Sequence, residues 1–149
     1  FDLYGGDRQW RDYFRQGEAQ LTPGRWSMSE LSQLLLTQAF DYDQIQRLRR
    51  QNYQALCQKL AALAVFPDLP PTVVPLGFPV RLPQRDAVQR NLFQADIYPP
   101  IHWNLAGVVP PQFAQSHHLA EHILTLPCDQ RYGEEEMNAL ADTLLQWSA

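Results

Sequence analysis

Asp96-Ile97-Tyr98-Pro99-Pro100-Ile101-His102-Trp103 sets an imidazole and an indole at the end of a short apolar run stiffened by two prolines. Proline has no N–H to give to a sheet ladder, so Pro99-Pro100 belong at a strand edge, a strand start or a bend. Backbone stiffened in this way holds His102 and Trp103 at a fixed angle, which suits the wall of a binding site. The plainer reading of His102 is a strand-end histidine bonded to a backbone carbonyl, and Tyr98 and Trp103 read as core or rim packing.

Three other groups carry chemistry by residue type. His118-Leu119-Ala120-Glu121-His122 spells H-x-x-E-H. On a helix its two histidines, at i and i+4, share a face and can hold zinc, with Glu121 as general base. Against this, a strand-like run begins at Ile123 and leaves little helix to carry both ligands. A third ligand would have to be drafted from Cys128 or Asp129, and the alternative is a short helix whose histidines face water. Lys59 is the single lysine beside eleven arginines, so chemistry that needs an amine has one candidate. It falls on the polar face of a helical pattern and reads as solvated. Cys57 and Cys128 are far apart and form no disulfide framework; reduced thiols are the simpler reading, and no particular histidine is placed beside Cys128 to make it a nucleophile.

The elements that must position these groups divide into two parts, a helical arm over residues 1–66 and a small α+β domain over 67–149. Asp7 caps a helix to about Gln16, with Trp10, Tyr13 and Phe14 on one face and Gly17 as its stop; Thr22-Pro23-Gly24 is a turn. Ser27 and Glu30 make a capping box as N-cap and N3. Met28, Leu31, Leu34, Leu35 and Ala39 follow at helical spacing. Asp41 and Asp43 restart or bend the helix, and Ile45, Leu48, Leu56, Leu60 and Leu63 continue an apolar stripe beside Arg47, Arg49 and Arg50. Pro67, Pro70 and Pro71 end it.

Leu76, Phe78, Val80 and Leu82 then alternate as a strand. Residues 84–95 are a helix through Val88, Leu92 and Phe93, residues 96–103 supply a second strand, and residues 115–121 form a helical turn or two. His122 to Leu126 is a third strand stopped by Pro127. Glu134 to Trp147 is a final helix with Met137, Leu140, Ala141, Leu144 and Leu145 inward and an acidic first turn that complements the helix dipole. The expected fold class is α+β, a long helical arm followed by a small antiparallel or mixed sheet of three to four strands with helices packed on it.

Composition bounds the function. With 149 residues, 45% of them apolar, and a net charge of −4, the chain is one globular domain by size. Mild acidity argues against non-specific nucleic-acid binding. No apolar run reaches the roughly 20 residues of a membrane span. No signal-peptide pattern is expected in the sequence as it stands, and the chain opens on Phe1 rather than Met, which reads as a piece of something longer.

The order of motifs resembles the DegT-type, fold-type I pyridoxal-phosphate sugar aminotransferases. The run Gly24-Arg25-Trp26-Ser27-Met28-Ser29-Glu30-Leu31, then Ile45 through Arg50-Gln51-Asn52-Tyr53 and Leu56, is similar to that family's long helix and its approach. Phe78-Pro79-Val80-Arg81, Arg85-Asp86, Ile97 through Trp103, Ile123-Leu124-Thr125-Leu126-Pro127, Gln130-Arg131-Tyr132-Gly133 and the Glu-led last helix follow in the family's order. The resemblance covers Gly24 to the end and implies the C-terminal small domain of such an enzyme.

What the resemblance implies is amino transfer from glutamate or a similar donor to a keto-sugar nucleotide, by a cytoplasmic homodimer. The Schiff-base lysine and the partner of the pyridine nitrogen belong to the large domain upstream, so no catalytic residue is expected here and the isolated chain is expected to be inert. In the family an asparagine before the long helix contacts the phosphate of the neighbouring subunit's cofactor; Arg25 stands at that position, a departure that either keeps a phosphate-binding side chain or marks a solvated residue of a member that binds no pyridoxal phosphate. His102 matches a histidine near the sugar nucleotide, where an imidazole can donate to a phosphate or a sugar hydroxyl. Tyr98 is placed beside it on the substrate side. Two other readings stand next to this one: a non-catalytic binding or dimerisation module of the same fold, and a zinc-dependent hydrolase built on H-x-x-E-H.

Overall fold

Phe78 and Val80 point one way from a four-residue strand into an apolar core, and the helices close over them. The computed structural model describes residues 9–22 and 24–148, with side chains from residue 12 onward. The chain falls into two compact units, Phe1–Ala39 and Phe40–Ala149.

In the first unit α1 runs Gln9–Gln20 and α2 runs Glu30–Leu34, continued by a π-helical turn, Leu35–Ala39. The expected cap Asp7 and the turn residue Pro23 lie outside the described residues. Gly17 does not stop α1: an interior glycine weakens a helix by about 1 kcal/mol but ends one only where the chain needs a positive φ. The capping box expected at Ser27 is displaced by two residues. Ser29 is extended and its hydroxyl accepts from Ser32 N at 3.1 Å, which makes Glu30 the first helical residue rather than N3. Thr37 Oγ1 donates back to Gln33 O at 2.8 Å within the π turn, a bond that widens a helix locally. The stripe Met28, Leu31, Leu34 and Leu35 is exposed.

The second unit contains α3 (Tyr42–Leu60), β1 (Phe78–Arg81), α4 (Arg85–Gln94), α5 (Ala114–His122), β2 (Ile123–Leu126) and α6 (Glu134–Ser148). Asp41 restarts the helix as expected, its carboxylate accepting from Gln44 N at 2.9 Å. Tyr53, Leu56 and Leu60 of α3, Phe78, Val80 and Leu82 in and after β1, Val88 and Leu92 of α4, Leu124 and Leu126 of β2, and Met137, Leu140, Ala141 and Leu144 of α6 form one buried cluster. The Tyr53 ring meets Phe78 edge-on, centroids 4.7 Å apart. Leu76, expected as the first residue of the alternating strand, and Leu145, expected inward, are 79% and 42% exposed, since the strand begins two residues after Leu76 and the α6 stripe has turned outward by Leu145. His122 ends α5 instead of opening the strand.

Among the described residues the sheet has two strands, not three to four. β1 and β2 pair antiparallel with Val80 opposite Leu124 and Pro79 opposite Thr125. The reason lies in the prolines on both outer edges. On the far side of β1, Val65 N donates to Pro79 O at 2.9 Å and Arg81 N to Leu63 O at 2.8 Å, but Pro79 has no N–H to return to Val65. Pairing there ends as a single bridge, Ala64 to Val80. On the far side of β2, Thr125 N donates to Pro100 O at 3.3 Å, and Pro100 cannot donate back. Residues 97–103 therefore lie beside β2 without becoming a strand. No helix among the described residues is long and apolar enough to cross a membrane.

Candidate functional site

The 97–103 segment hangs between α4 and β2. Asp96 follows α4 at φ +57°, a left-handed turn that aspartate tolerates better than most residues, and Ile97 N then returns to Leu92 O at 2.9 Å. Gln89 Nε2 of α4 donates to Pro99 O at 2.9 Å, and β2 holds the next carbonyl through Thr125 N. Pro99 is fully buried while Ile97 and Ile101 pack against the core, so the segment is fixed along its apolar side.

At its end His102 is half-buried, with Nδ1 3.3 Å from Thr125 Oγ1. If the hydroxyl donates to Nδ1, Nε2 carries the proton and donates outward; if it accepts, Nε2 presents a lone pair. Either way the contact with Thr125 engages Nδ1 and not Nε2. Trp103, 74% exposed, stands beside it at 5.5 Å between ring centroids. The Tyr98 hydroxyl donates to Asp96 Oδ1 at 2.9 Å and its ring leans on Phe93, centroids 5.4 Å apart, which fits rim packing.

His102 and Tyr98 thus share one segment. Arg25 belongs to the first unit, exposed in the extended stretch before α2, where Trp26 folds back so that its Nε1 donates to Thr22 O at 3.4 Å. The side chains that position His102 were not singled out from the sequence. Thr125 was legible only as the polar residue of an apolar alternating strand, and Gln89 as one of several polar helix residues.

Two of the arginines beside the α3 stripe, Arg49 and Arg50, have a structural role. Arg49 donates to Gln130 Oε1 and Pro75 O, at 2.8 and 2.9 Å, and Arg50 to Pro70 O and Val73 O, at 2.8 and 2.6 Å. Buried Asn52 donates to Asp129 O and Tyr132 O, both at 2.9 Å. Together they tie the 70–76 and 128–132 loops to α3. Asp129 accepts from the Arg131 guanidinium at 2.6 and 2.7 Å and from Arg131 N at 3.1 Å, which holds its carboxyl below the ordinary range. Burial pushes the Cys128 thiol up to about 11, so it is a packing residue rather than a nucleophile.

Lys59 Nζ sits 2.7 and 2.8 Å from the two Asp142 oxygens, linking α3 to α6. An ammonium held by a carboxylate does not fit the free amine that pyridoxal phosphate needs for its Schiff base. His118 and His122 stack on α5 with ring centroids 4.2 Å apart, and His122 Nδ1 lies 2.7 Å from His118 O. A surface hollow of about 340 Å³ beside them is lined by Pro111, Ala114, His117, His118 and Glu121, and includes none of Arg25, Tyr98 and His102. Among the described residues no three His, Cys, Asp or Glu side chains converge as a metal site would require.

No protein-family model and no curated protein matches the chain. Its fold is similar to that of a solved DegT/DnrJ/EryC1/StrS aminotransferase from Brucella abortus, with a TM-score of 0.64 and 15% identity. The match covers 96% of this chain and 44% of that one, so the chain spans less than half the length of the enzyme it is similar to. The likeness is one of fold.

Proposed function

We propose that this chain is the C-terminal small domain of a DegT-type, pyridoxal-phosphate-dependent aminotransferase that acts on a keto-sugar nucleotide. The observation that carries the reading is the fold likeness over 96% of the chain, which falls on less than half of an enzyme of that kind. The expected motif order of the sequence points the same way without depending on it.

In this reading the cofactor, when bound, supplies the amino-transfer chemistry, and it is held by the upstream large domain of the same polypeptide. This chain binds and orients. His102 Nε2 faces the substrate and hydrogen-bonds a phosphate or a sugar hydroxyl, while Thr125 and the tethered prolines keep the imidazole from swinging away. Tyr98 closes the rim. Arg25 offers a guanidinium to the phosphate of a second subunit's cofactor, and the homodimer is completed through the arm that carries it. The expected setting is the cytoplasm, and the 149 residues alone are expected to be inert.

The test is kinetic, on the polypeptide read from its natural start. His102→Ala should raise the KM for the keto-sugar nucleotide at least tenfold, a loss of about 1.4 kcal/mol, with little change in kcat. An unchanged KM would remove His102 from the substrate wall. The second reading, a cofactor-free binding module of the same fold, is favoured by Arg25 standing where the family carries asparagine. It predicts no pyridoxal-phosphate adduct at all.

A further inference from the structure

We propose that His118 and His122 of α5 form a two-imidazole chelate for a borderline divalent transition-metal ion, Ni²⁺, Cu²⁺ or Zn²⁺, at the protein surface. The two residues lie one helical turn apart on a helix of nine residues, and their rings are already stacked at 4.2 Å. His122 Nδ1 sits 2.7 Å from the His118 carbonyl oxygen, a distance at which it donates. That bond fixes the tautomer, with the lone pair on Nε2, as the outer-shell bond of a metal-bound histidine does. Among the described residues no hydrogen bond occupies the His118 ring, and the residue is exposed. An ion held by this pair would sit about 2.0–2.1 Å from His122 Nε2 and from a ring nitrogen of His118.

The neighbouring hollow is lined by His118 and Glu121, so the His118 side of the pair borders open space. His117 is not a ligand here, because its Nε2 lies 3.1 Å from Val109 O at the approach to α5. Two neutral nitrogen donors select imidazole-loving ions over Mg²⁺ and Ca²⁺, which need oxygen ligands. The site is a chelate and not a hydrolase centre, since among the described residues no third protein ligand converges on it.

Isothermal titration of the untagged 149-residue chain with Ni²⁺ tests this. One ion should bind per chain, Mg²⁺ should give no heat, and His118→Ala or His122→Ala should each weaken Ni²⁺ binding about tenfold or more. Circular dichroism of each variant shows whether the fold is kept, and His122→Gln, which retains a polar side chain, should lose the ion equally. Absence of Ni²⁺ binding, or binding that survives in the double variant His118→Ala/His122→Ala, would overturn the assignment.

Discussion

Thr125 Oγ1 stands 3.3 Å from His102 Nδ1, while the same residue's N–H donates to Pro100 O, so one strand position holds both the imidazole and the backbone that carries it. Thr125→Val removes the first bond and keeps the second. It should cost about 0.5–1.5 kcal/mol of stability and leave the fold intact, while the ring ¹⁵N shifts of His102 move. An unmoved His102 resonance would mean that the hydroxyl does not set the ring.

Gly77 lies against the other side of that threonine. A Cβ at Gly77 would stand 2.5 Å from Thr125 Cγ2 and 3.0 Å from Leu126 O. Gly77→Ala should therefore destabilise the second unit by about 1–3 kcal/mol, seen as a lower thermal midpoint, because β2 backbone is among the atoms that must yield.

Asn52→Leu leaves the carbonyls of Asp129 and Tyr132 without the amide that serves them. Urea unfolding should show a loss of about 2–3 kcal/mol, more than is typical of surface changes on α3.

Asp129 gives a pH signature. Its folded-state pKa is depressed, chiefly by the Arg131 guanidinium, so its contribution to stability is complete above the unfolded carboxylate value and is lost as pH falls through the folded one. Asp129→Asn should be less stable than the parent at pH 7, and the difference should shrink below about pH 4. A gap that stayed constant down to pH 2 would contradict the pairing.

The two thiols should separate by reactivity. Cys128 is fully buried with its thiol pushed up to about 11, and should resist alkylation at pH 8 until the protein is denatured. Cys57 is half-buried, is raised less and hydrogen-bonds Pro67 O at 3.0 Å; it should react slowly in the native state. Mass spectrometry after timed alkylation distinguishes them.

The core was legible where apolar residues kept a period. Phe78, Val80 and Leu82 alternate, and Met137, Leu140, Ala141 and Leu144 repeat at helical spacing; all seven are buried. Strand number was not legible, because it depends on which face of each strand a proline's missing N–H falls on, and only the register of Pro79 and Pro100 decides that. The α3 ties escaped for a related reason. Arg49 and Asn52 look like ordinary polar residues until the loops they reach, 26 and about 80 positions away, are in place. His102 and Tyr98 could be singled out locally, whereas Thr125 could not, since nothing near it in sequence announces an imidazole arriving from residue 102.

The most direct measurement is to express the polypeptide from its natural start, add pyridoxal phosphate, reduce with borohydride, and map the modified lysine by mass spectrometry. The account predicts one adduct on a lysine N-terminal to Phe1 and none on Lys59, whose ammonium is paired with Asp142. Absence of any adduct, or an adduct on Lys59, would contradict it.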